Sequence, residues 1–127
     1  IAAGIEIVRG CKADGCRIIA TGEMGIGNTT TSAAMAAAML RCDVATVTGR
    51  GAGLNDSGLE KKISVIESAI EKYDLYNKDT FEILMTVGGL DIAGLVGVCI
   101  GGALYHIRRS DKHGFCVGSR KASFRSY

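Results

Sequence analysis

The sequence has no proline and no tryptophan, and aromatic residues make up only 6% of its 127 residues. It also lacks an apolar run of the roughly 18 residues that a membrane-spanning helix needs. The longest candidate, residues 90–105, contains Asp91 and four glycines, a composition that favours a buried helix. Because no basic stretch followed by an apolar one opens the chain, we expect a cytoplasmic protein that does not enter a membrane.

The cysteines do not form a recognisable metal-binding pattern. They are five in number, an odd count, and no CxxC or Cys–His pair has zinc-ligand spacing. The five are Cys11, Cys16, Cys42, Cys99 and Cys116. We therefore expect free or buried thiols in a cytosolic protein.

The composition is otherwise that of one globular domain, with 47% hydrophobic and 22% charged residues and 18 glycines without a period. The net charge of +2 is unevenly distributed, since residues 1–107 sum to −3 and residues 108–127 to +5. The first segment therefore does not resemble a nucleic-acid-binding surface, whereas the basic tail taken alone does. The chain begins at Ile1 without a methionine, and we expect it to be a fragment.

The first forty residues predict a βα unit. Apolar residues at helical spacing predict a helix over residues 1–14, and the short apolar run at residues 17–21 predicts a strand. A glycine-rich loop follows at residues 22–28, and an alanine-rich helix is expected over residues 29–40, capped by Asn28 or Thr29.

Three further helices are expected after a second glycine-rich loop at residues 49–53. The first begins at Asn55 or Asp56 and has an apolar stripe at intervals of four, three, four and three residues, formed by Leu59, Ile63, Ile66, Ile70 and Tyr73. Asp79 and Glu82 have the spacing of a capping box ahead of a short helix. Asp91 is expected to cap a last, apolar helix to about Tyr105. No regular structure is predicted after residue 107.

The first glycine loop has the features of an anion site. Glycines between a strand and a helix let backbone N–H groups approach an anion, and the helix N-terminus adds partial positive charge. Thr29 and Thr30 add hydroxyl donors. The spacing from Gly22 through Gly27 to Thr29 imitates a Walker A motif, but Asn28 stands where that motif has its lysine. This favours a monophosphate over a nucleoside triphosphate; a turn that needs glycine for its backbone alone is the alternative.

Two charged residues extend this hypothesis. Glu23 would repel a phosphate, so its carboxylate is better matched to sugar hydroxyls, with a cap or salt bridge as the alternative. Lys62 lies about 60° from the centre of the apolar stripe, whereas Lys61 points towards solvent. Its ammonium group can therefore reach a cleft and bind an anion, unless Lys62 only extends along the margin of the core.

Four blocks in a fixed order carry a family resemblance: GEMGIGNTT at residues 22–30, GRGAGLND at residues 49–56, Lys62, and GGLDIAG at residues 88–94. Together they closely resemble the nicotinate-nucleotide:5,6-dimethylbenzimidazole phosphoribosyltransferases of cobalamin biosynthesis, over about residues 1–107. The resemblance implies an α/β fold, a Rossmann-like parallel sheet with flanking helices, here as an incomplete domain. It implies transfer of phosphoribose from nicotinate mononucleotide to a benzimidazole, with release of nicotinate and inversion to an α-glycosidic bond.

The resemblance also implies the roles of individual residues. The 5′-phosphate would be held by Gly25, Gly27, Asn28, Thr29, Thr30 and Lys62. The ribose and the rest of the nucleotide would be bound by Glu23, Gly49, Gly51 and Gly53. No metal or other cofactor is expected. The family's general base lies in a C-terminal segment that this chain lacks, so we expect no catalytic residue and little or no transferase activity.

The expected domain therefore spans residues 1–107, followed by an atypical basic tail at residues 108–127. The abrupt change of charge suggests that the tail is translated out of frame. We also expect a homo-oligomer that binds no nucleic acid and no membrane. Two alternatives stay open: a non-catalytic nucleotide-binding module with a degenerate P-loop, and an interaction protein whose tail binds nucleic acid.

Overall fold

A computed structural model describes residues 1–22 and 25–110. Glu23, expected to bind ribose, lies outside the described residues, as do residues 111–127 of the basic tail. Six α-helices and two short strands are seen in the described part. In chain order they are α1 (Ala2–Ala13), β1 (Ile18–Ala20), α2 (Thr29–Leu40), α3 (Val44–Val47), α4 (Asp56–Lys72), α5 (Thr80–Val87), α6 (Leu90–Leu104) and β2 (Arg108–Ser110), with a 3₁₀ turn at Leu75–Asn77 before α5.

Helix α2 is the central helix of the main core. Small side chains cover most of its surface, which lets α3, α4 and α5 approach it closely. Its buried residues are Ala33, Ala34, Met35, Ala37 and Ala38. They pack with apolar residues from the neighbouring elements, namely Val44, Ile66, Ile70, Leu75 and Ile83. This packing holds the N-terminus of α2 next to the beginning of α4.

Helix α4 confirms the predicted helical stripe over most of its length. Ile66 and Ile70 are buried, and Ile63 packs against the same core. Asn55 caps the helix by accepting a hydrogen bond from the N–H of Gly58 at 2.9 Å. Tyr73, the last member of the stripe, is the C-cap residue that follows the helix and remains 43% exposed.

Helices α1 and α6 form a second packed pair through glycines. A Cβ atom at Gly4 would lie only 2.2 Å from the carbonyl oxygen of Gly94, and one at Gly97 would lie 2.0 Å from the carbonyl oxygen of Ile1. Glycine is therefore required at both positions for the two backbones to approach this closely. None of the helices in the described residues has the length and apolarity of a membrane span.

The two strands pair in parallel, with Ile18 opposite Arg108 and Ala20 opposite Ser110. Strand β2 was not predicted, since its three residues include two arginines and show no alternation. The described residues are mostly helical, and this short ladder is the only strand pairing in them. The predicted helices occur in the predicted order. A Rossmann-like sheet has more strands than this two-stranded ladder, so the described residues do not show the predicted sheet.

Of the predicted helix caps, one is confirmed and two differ from the structure. Asp79 and Glu82 form the predicted capping box at α5. The prediction that Asp91 caps the last helix was wrong, because the N-cap of α6 is Gly89, two residues earlier. Asn28 is the N-cap residue of α2, but its side chain makes no capping hydrogen bond. Instead, Asn28 Nδ2 donates to Asp91 Oδ2 at 3.3 Å, linking the starts of α2 and α6.

Candidate functional site

The two glycine-rich loops and the first turns of α2 and α4 surround one cavity of about 330 Å³. Residues far apart in the sequence meet here because α4 packs against α2 and the second loop leads directly into α4. The cavity is lined by Gly25, Gly27, Thr29, Thr30, Arg50, Gly51, Ala52, Gly53, Leu54 and Lys62. Most residues predicted to bind the nucleotide are therefore neighbours in space.

The first loop places backbone groups and hydroxyls on one side of the cavity. Gly25 and Gly27 have φ values of 79° and 81°, a left-handed region that glycine enters without strain. The loop then turns into α2 at Asn28, whose side chain leaves the first N–H groups of the helix uncapped. Thr29 and Thr30 begin the helix and line the cavity. Uncapped N–H groups and hydroxyls at a helix N-terminus are donors suited to an anion.

The second loop closes the opposite side of the cavity. Gly51 and Gly53 have φ values of 58° and 102°. At Gly51 a Cβ atom would lie 2.9 Å from Thr29 Oγ1, so the absence of a side chain lets the two loops approach each other. Gly49 contributes its carbonyl oxygen, which accepts a hydrogen bond from Lys62, and does not itself line the cavity.

Lys62 is the residue that joins the two loops. Its side chain is buried with only 7% of the residue exposed, and it lines the cavity. Its Nζ donates to Thr29 Oγ1 and to the carbonyl oxygen of Gly49, both at 2.9 Å. None of the ion pairs in the described residues includes Lys62. A nearly buried ammonium group with only neutral acceptors keeps a donor and a positive charge for an anionic ligand.

Arg50 is a cavity residue that sequence reasoning missed. Its guanidinium group donates to the carbonyl oxygen of Leu54 at 3.0 Å and forms an ion pair with Asp56, which stands at the start of α4. This ion pair holds the second loop against α4. The sequence signal was a cation inside a glycine loop, but nothing in the spacing distinguished a ligand-binding arginine from a solvated one.

Asn28 was predicted to help hold the phosphate, and in the structure its side chain contacts Asp91. Besides its contact with Asp91, its Oδ1 atom is buried without a hydrogen-bond partner among the described residues. The residue does not line the cavity. Its carbonyl oxygen accepts from the Thr31 and Ser32 hydroxyls and from the Ser32 N–H. Asn28 therefore shapes the turn into α2, and its side-chain amide bonds to a residue that does not line the cavity.

The site offers chemistry for binding an anion, with no arrangement for metal coordination. Within residues 1–22 and 25–110, no three His, Cys, Asp or Glu side chains are grouped so that they could hold a metal ion. The cavity contains one buried cation, one ion-paired cation, two threonine hydroxyls and the start of a helix. Such a set is suited to the several oxygen acceptors of a phosphate group.

Comparison with known proteins gives a consistent result. A family model described as "Phosphoribosyltransferase" matches residues 1–108. The resemblance seen in the four sequence blocks is thereby confirmed over the same part of the chain.

Individual relatives carry one name, nicotinate-nucleotide–dimethylbenzimidazole phosphoribosyltransferase. The protein from Geobacter metallireducens is 50% identical over 105 residues, covering 83% of this chain and 30% of the relative. The one from Clostridium perfringens is 43% identical over 104 residues, covering 82% and 29%. The one from Chloroflexus aurantiacus is 47% identical over 103 residues, covering 81% and 29%. The chain thus spans about 30% of the length of the relatives it matches.

Proposed function

This chain belongs to the phosphoribosyltransferase family, and we propose that it forms the phosphate-binding part of an enzyme that acts on nicotinate mononucleotide. That enzyme transfers phosphoribose to 5,6-dimethylbenzimidazole, giving α-ribazole 5′-phosphate and nicotinate in cobalamin biosynthesis. The names of the relatives support the substrates and the reaction. The burial of Lys62 without an acidic partner among the residues that the structure describes is the observation that carries the proposal for this chain.

In the proposed complex the 5′-phosphate lies between the N-terminus of α2 and Lys62. Backbone N–H groups from Gly25 to Thr30 and the threonine hydroxyls donate to its oxygens, and Lys62 adds the positive charge. The second glycine loop covers the nucleotide from the other side, and Glu23 meets the ribose hydroxyls. Asn28 has a supporting role because its side chain is turned to Asp91.

In this proposal the chain positions the nucleotide for attack and does not supply the base of the chemical step. Nicotinate leaves C1′ from a cationic pyridinium, so the departing ring nitrogen needs no proton. The unprotonated benzimidazole nitrogen attacks the opposite face of C1′, and the other ring nitrogen must give up its N–H proton to a base. We propose that this base lies outside the chain, as the family resemblance implies, and that the chain alone has little or no transferase activity. A phosphate held firmly on one side orients C1′ for in-line attack.

We also propose that the ladder of β1 and β2 is part of a Rossmann-like parallel sheet with flanking helices, in a cytoplasmic homo-oligomer that binds neither nucleic acid nor membranes. The proposed domain is residues 1–107, followed by the basic tail at residues 108–127. Because β2 (Arg108–Ser110) still pairs with β1, we place the proposed change of reading frame after Ser110. The family match ending at residue 108 supports this boundary. Translation of the encoding DNA in the other two frames tests it: a family-like continuation is expected, and its absence from both frames would exclude a frameshift.

The phosphate site is tested by calorimetric titration of the chain with nicotinate mononucleotide. Lys62→Ala is expected to weaken binding roughly 10- to 100-fold, because a charged hydrogen bond contributes about 1.5–3 kcal/mol. Lys61→Ala is the matched control, since Lys61 is the adjacent, exposed lysine, and it should leave the affinity within about twofold. Equal affinities for Lys62→Ala and the unmodified chain would refute the assignment. ATP with Mg²⁺ should bind more weakly than the mononucleotide, and the reverse order would favour a degenerate P-loop module.

A further inference from the structure

Helix α1 ends in a turn that brings two cysteines together. Gly15 has a φ of 80° directly after the helix. Its N–H donates to the carbonyl of Lys12 at 3.0 Å, and the N–H of Cys16 donates to the carbonyl of Cys11 at 2.9 Å. These two bonds define a Schellman motif, in which the residues at the positions of Cys11 and Cys16 commonly bring their side chains into contact.

The side chains of this pair are two free thiols. Cys11 is partly buried and Cys16 is exposed, and the Cys16 thiol is close enough to contribute to the raised pKa of Cys11. The backbone hydrogen bond between the same two residues keeps their Cα atoms within about 7 Å, given standard bond lengths. A disulfide needs Cα atoms about 4.4–6.8 Å apart. The fold therefore places the two thiols where they can be joined with little backbone movement.

We propose that Cys11 and Cys16 form a reversible dithiol–disulfide site that is oxidised by small-molecule disulfides such as glutathione disulfide. The site lies on the connection between α1 and β1, and neither cysteine lines the phosphate cavity. The proposal is therefore independent of the function proposed above. Since β1 begins two residues after Cys16, the disulfide ties the end of α1 to the start of the strand.

The oxidation proceeds by two thiol–disulfide exchanges. The Cys16 thiolate attacks one sulfur of glutathione disulfide, forming a mixed disulfide and releasing one glutathione thiolate. The Cys11 thiolate then attacks the Cys16 sulfur, forming the internal disulfide and releasing the second glutathione. The two cysteines lose two electrons and two protons in total, and these convert glutathione disulfide to two glutathione thiols.

The surroundings of the two thiols favour this order of attack. Exposed Cys16 is open to a bulky disulfide. Burial raises the pKa of Cys11, and the neighbouring Cys16 and Asp14 raise it further. Cys11 is therefore mostly protonated at neutral pH, and is better suited to close the bond within the molecule, where its partner sulfur is held beside it.

The sequence supplies a direct readout, because Lys12 lies between the two cysteines. Trypsin cleaves after Arg9, Lys12 and Arg17, which releases Cys11 in the peptide 10–12 and Cys16 in the peptide 13–17. The full chain is equilibrated with mixtures of reduced and oxidised glutathione, and the exchange is quenched with acid. The remaining free thiols are then alkylated, and the chain is digested and analysed by mass spectrometry without reduction. The internal disulfide appears as the two peptides joined, two hydrogens lighter than their sum.

The expected result is that the joined peptides are the main oxidised product of the native chain. The equilibrium constant for forming the Cys11–Cys16 disulfide should be at least about tenfold larger in the native chain than in the chain unfolded by guanidinium, since only the native turn holds the thiols in place. Cys16→Ser should abolish the product, and Cys99→Ser, which removes another exposed cysteine, should not change it. Separate glutathione adducts, disulfides between chains, or equal formation constants in the native and unfolded chains would overturn the proposal.

Discussion

Lys62 carries the largest functional signal of any single side chain in the structure. A lysine with 7% exposure is unusual unless it is paired, yet its two acceptors are a hydroxyl and a carbonyl oxygen, both neutral. None of the acidic residues that the structure describes therefore neutralises its charge. This is the pattern expected of a residue selected for binding at some expense of stability.

Lys62→Met tests whether the buried lysine lowers the stability of the unliganded chain while it supports ligand binding. Methionine preserves the length and apolar stem of the side chain and removes the uncompensated charge. We expect the free energy of unfolding without ligand to stay the same or rise by about 1 kcal/mol, while stabilisation by nicotinate mononucleotide is lost. Urea denaturation with and without the nucleotide measures both effects. A loss of more than about 1 kcal/mol without ligand would indicate a mainly structural lysine.

Cys11 gives a pH-dependent prediction at the same scale. Because its pKa is raised in the native chain, mainly by burial, the thiolate forms at higher pH than in the unfolded chain. Alkylation of Cys11 by iodoacetamide should therefore be slower in the native than in the guanidinium-unfolded chain at pH 8. The two rates should converge at pH values above the raised native pKa, where the thiol is ionised in both states. Peptide 10–12 reports this cysteine alone, and equal rates at pH 8 would contradict the prediction.

At the scale of elements, the contact of α1 with α6 depends on glycine. Gly4 and Gly10 lie on the same helix, but a Cβ atom at Gly4 would collide with Gly94, whereas at Gly10 it would meet nothing within 4 Å. The sequence showed both residues as glycines in a helix and could not distinguish them. The distinction arises only from the neighbour that each one faces.

This pair gives a matched test of the helix contact. Gly4→Ala should lower the free energy of unfolding by about 1–3 kcal/mol because the backbones must separate. Gly10→Ala should raise it by up to about 1 kcal/mol, since alanine restricts the unfolded chain and fits the helix. Thermal denaturation of both variants measures the difference. Similar stabilities for the two would show that α1 and α6 are not packed as described.

Most helices could be predicted from sequence because their signals are local. Apolar spacing indicated α4, alanine content indicated α2, and the spacing of Asp79 and Glu82 indicated the start of α5. The four-residue helix α3 and the strand β2 are too short to show a period, so they were missed. The cap at α6 was assigned to Asp91 because local sequence cannot reveal that Asn28, distant in the chain, binds that carboxylate.

At the scale of the whole molecule, a large apolar surface remains uncovered near the junction of α5 and α6. Phe81 is 58% exposed, Met85 70% and Leu90 93%. Together with parts of residues 1, 84 and 93, they line a second cavity. Contiguous apolar surface of this kind promotes association in water.

We predict that the chain self-associates through this surface. Sedimentation equilibrium should show an average mass that rises with protein concentration from about 1 to 100 µM. The double variant Met85→Gln/Leu90→Gln should shift the midpoint of association to at least about tenfold higher concentration, because it removes apolar area without entering the core. Leu104→Gln, at an exposed leucine at the far end of α6, is the control. A monomer at all concentrations would contradict the prediction.

The cavity between the two glycine loops shows which part of a candidate site can be read from sequence. The glycines and Thr29 were identifiable from a local motif, and Lys62 from its position beside the apolar stripe of its own helix. The convergence of two loops on Lys62 depends on the packing of α4 against α2, and Arg50 became a cavity residue only through that geometry. The contact of the Asn28 amide with Asp91 could not be read from the sequence for the same reason, since its partner lies in a helix outside the loop.

The central claim is that the cavity between the two glycine loops binds a phosphate monoester. Its most direct test is calorimetric titration of the chain with nicotinate mononucleotide and, separately, with nicotinate riboside, which has the same ring and ribose but no phosphate. We predict that the nucleotide binds and that the riboside binds at least about 30-fold more weakly, because it cannot use the donors around Lys62 and the α2 N-terminus. Equal affinity for the two ligands, or no binding of the nucleotide, would contradict the account.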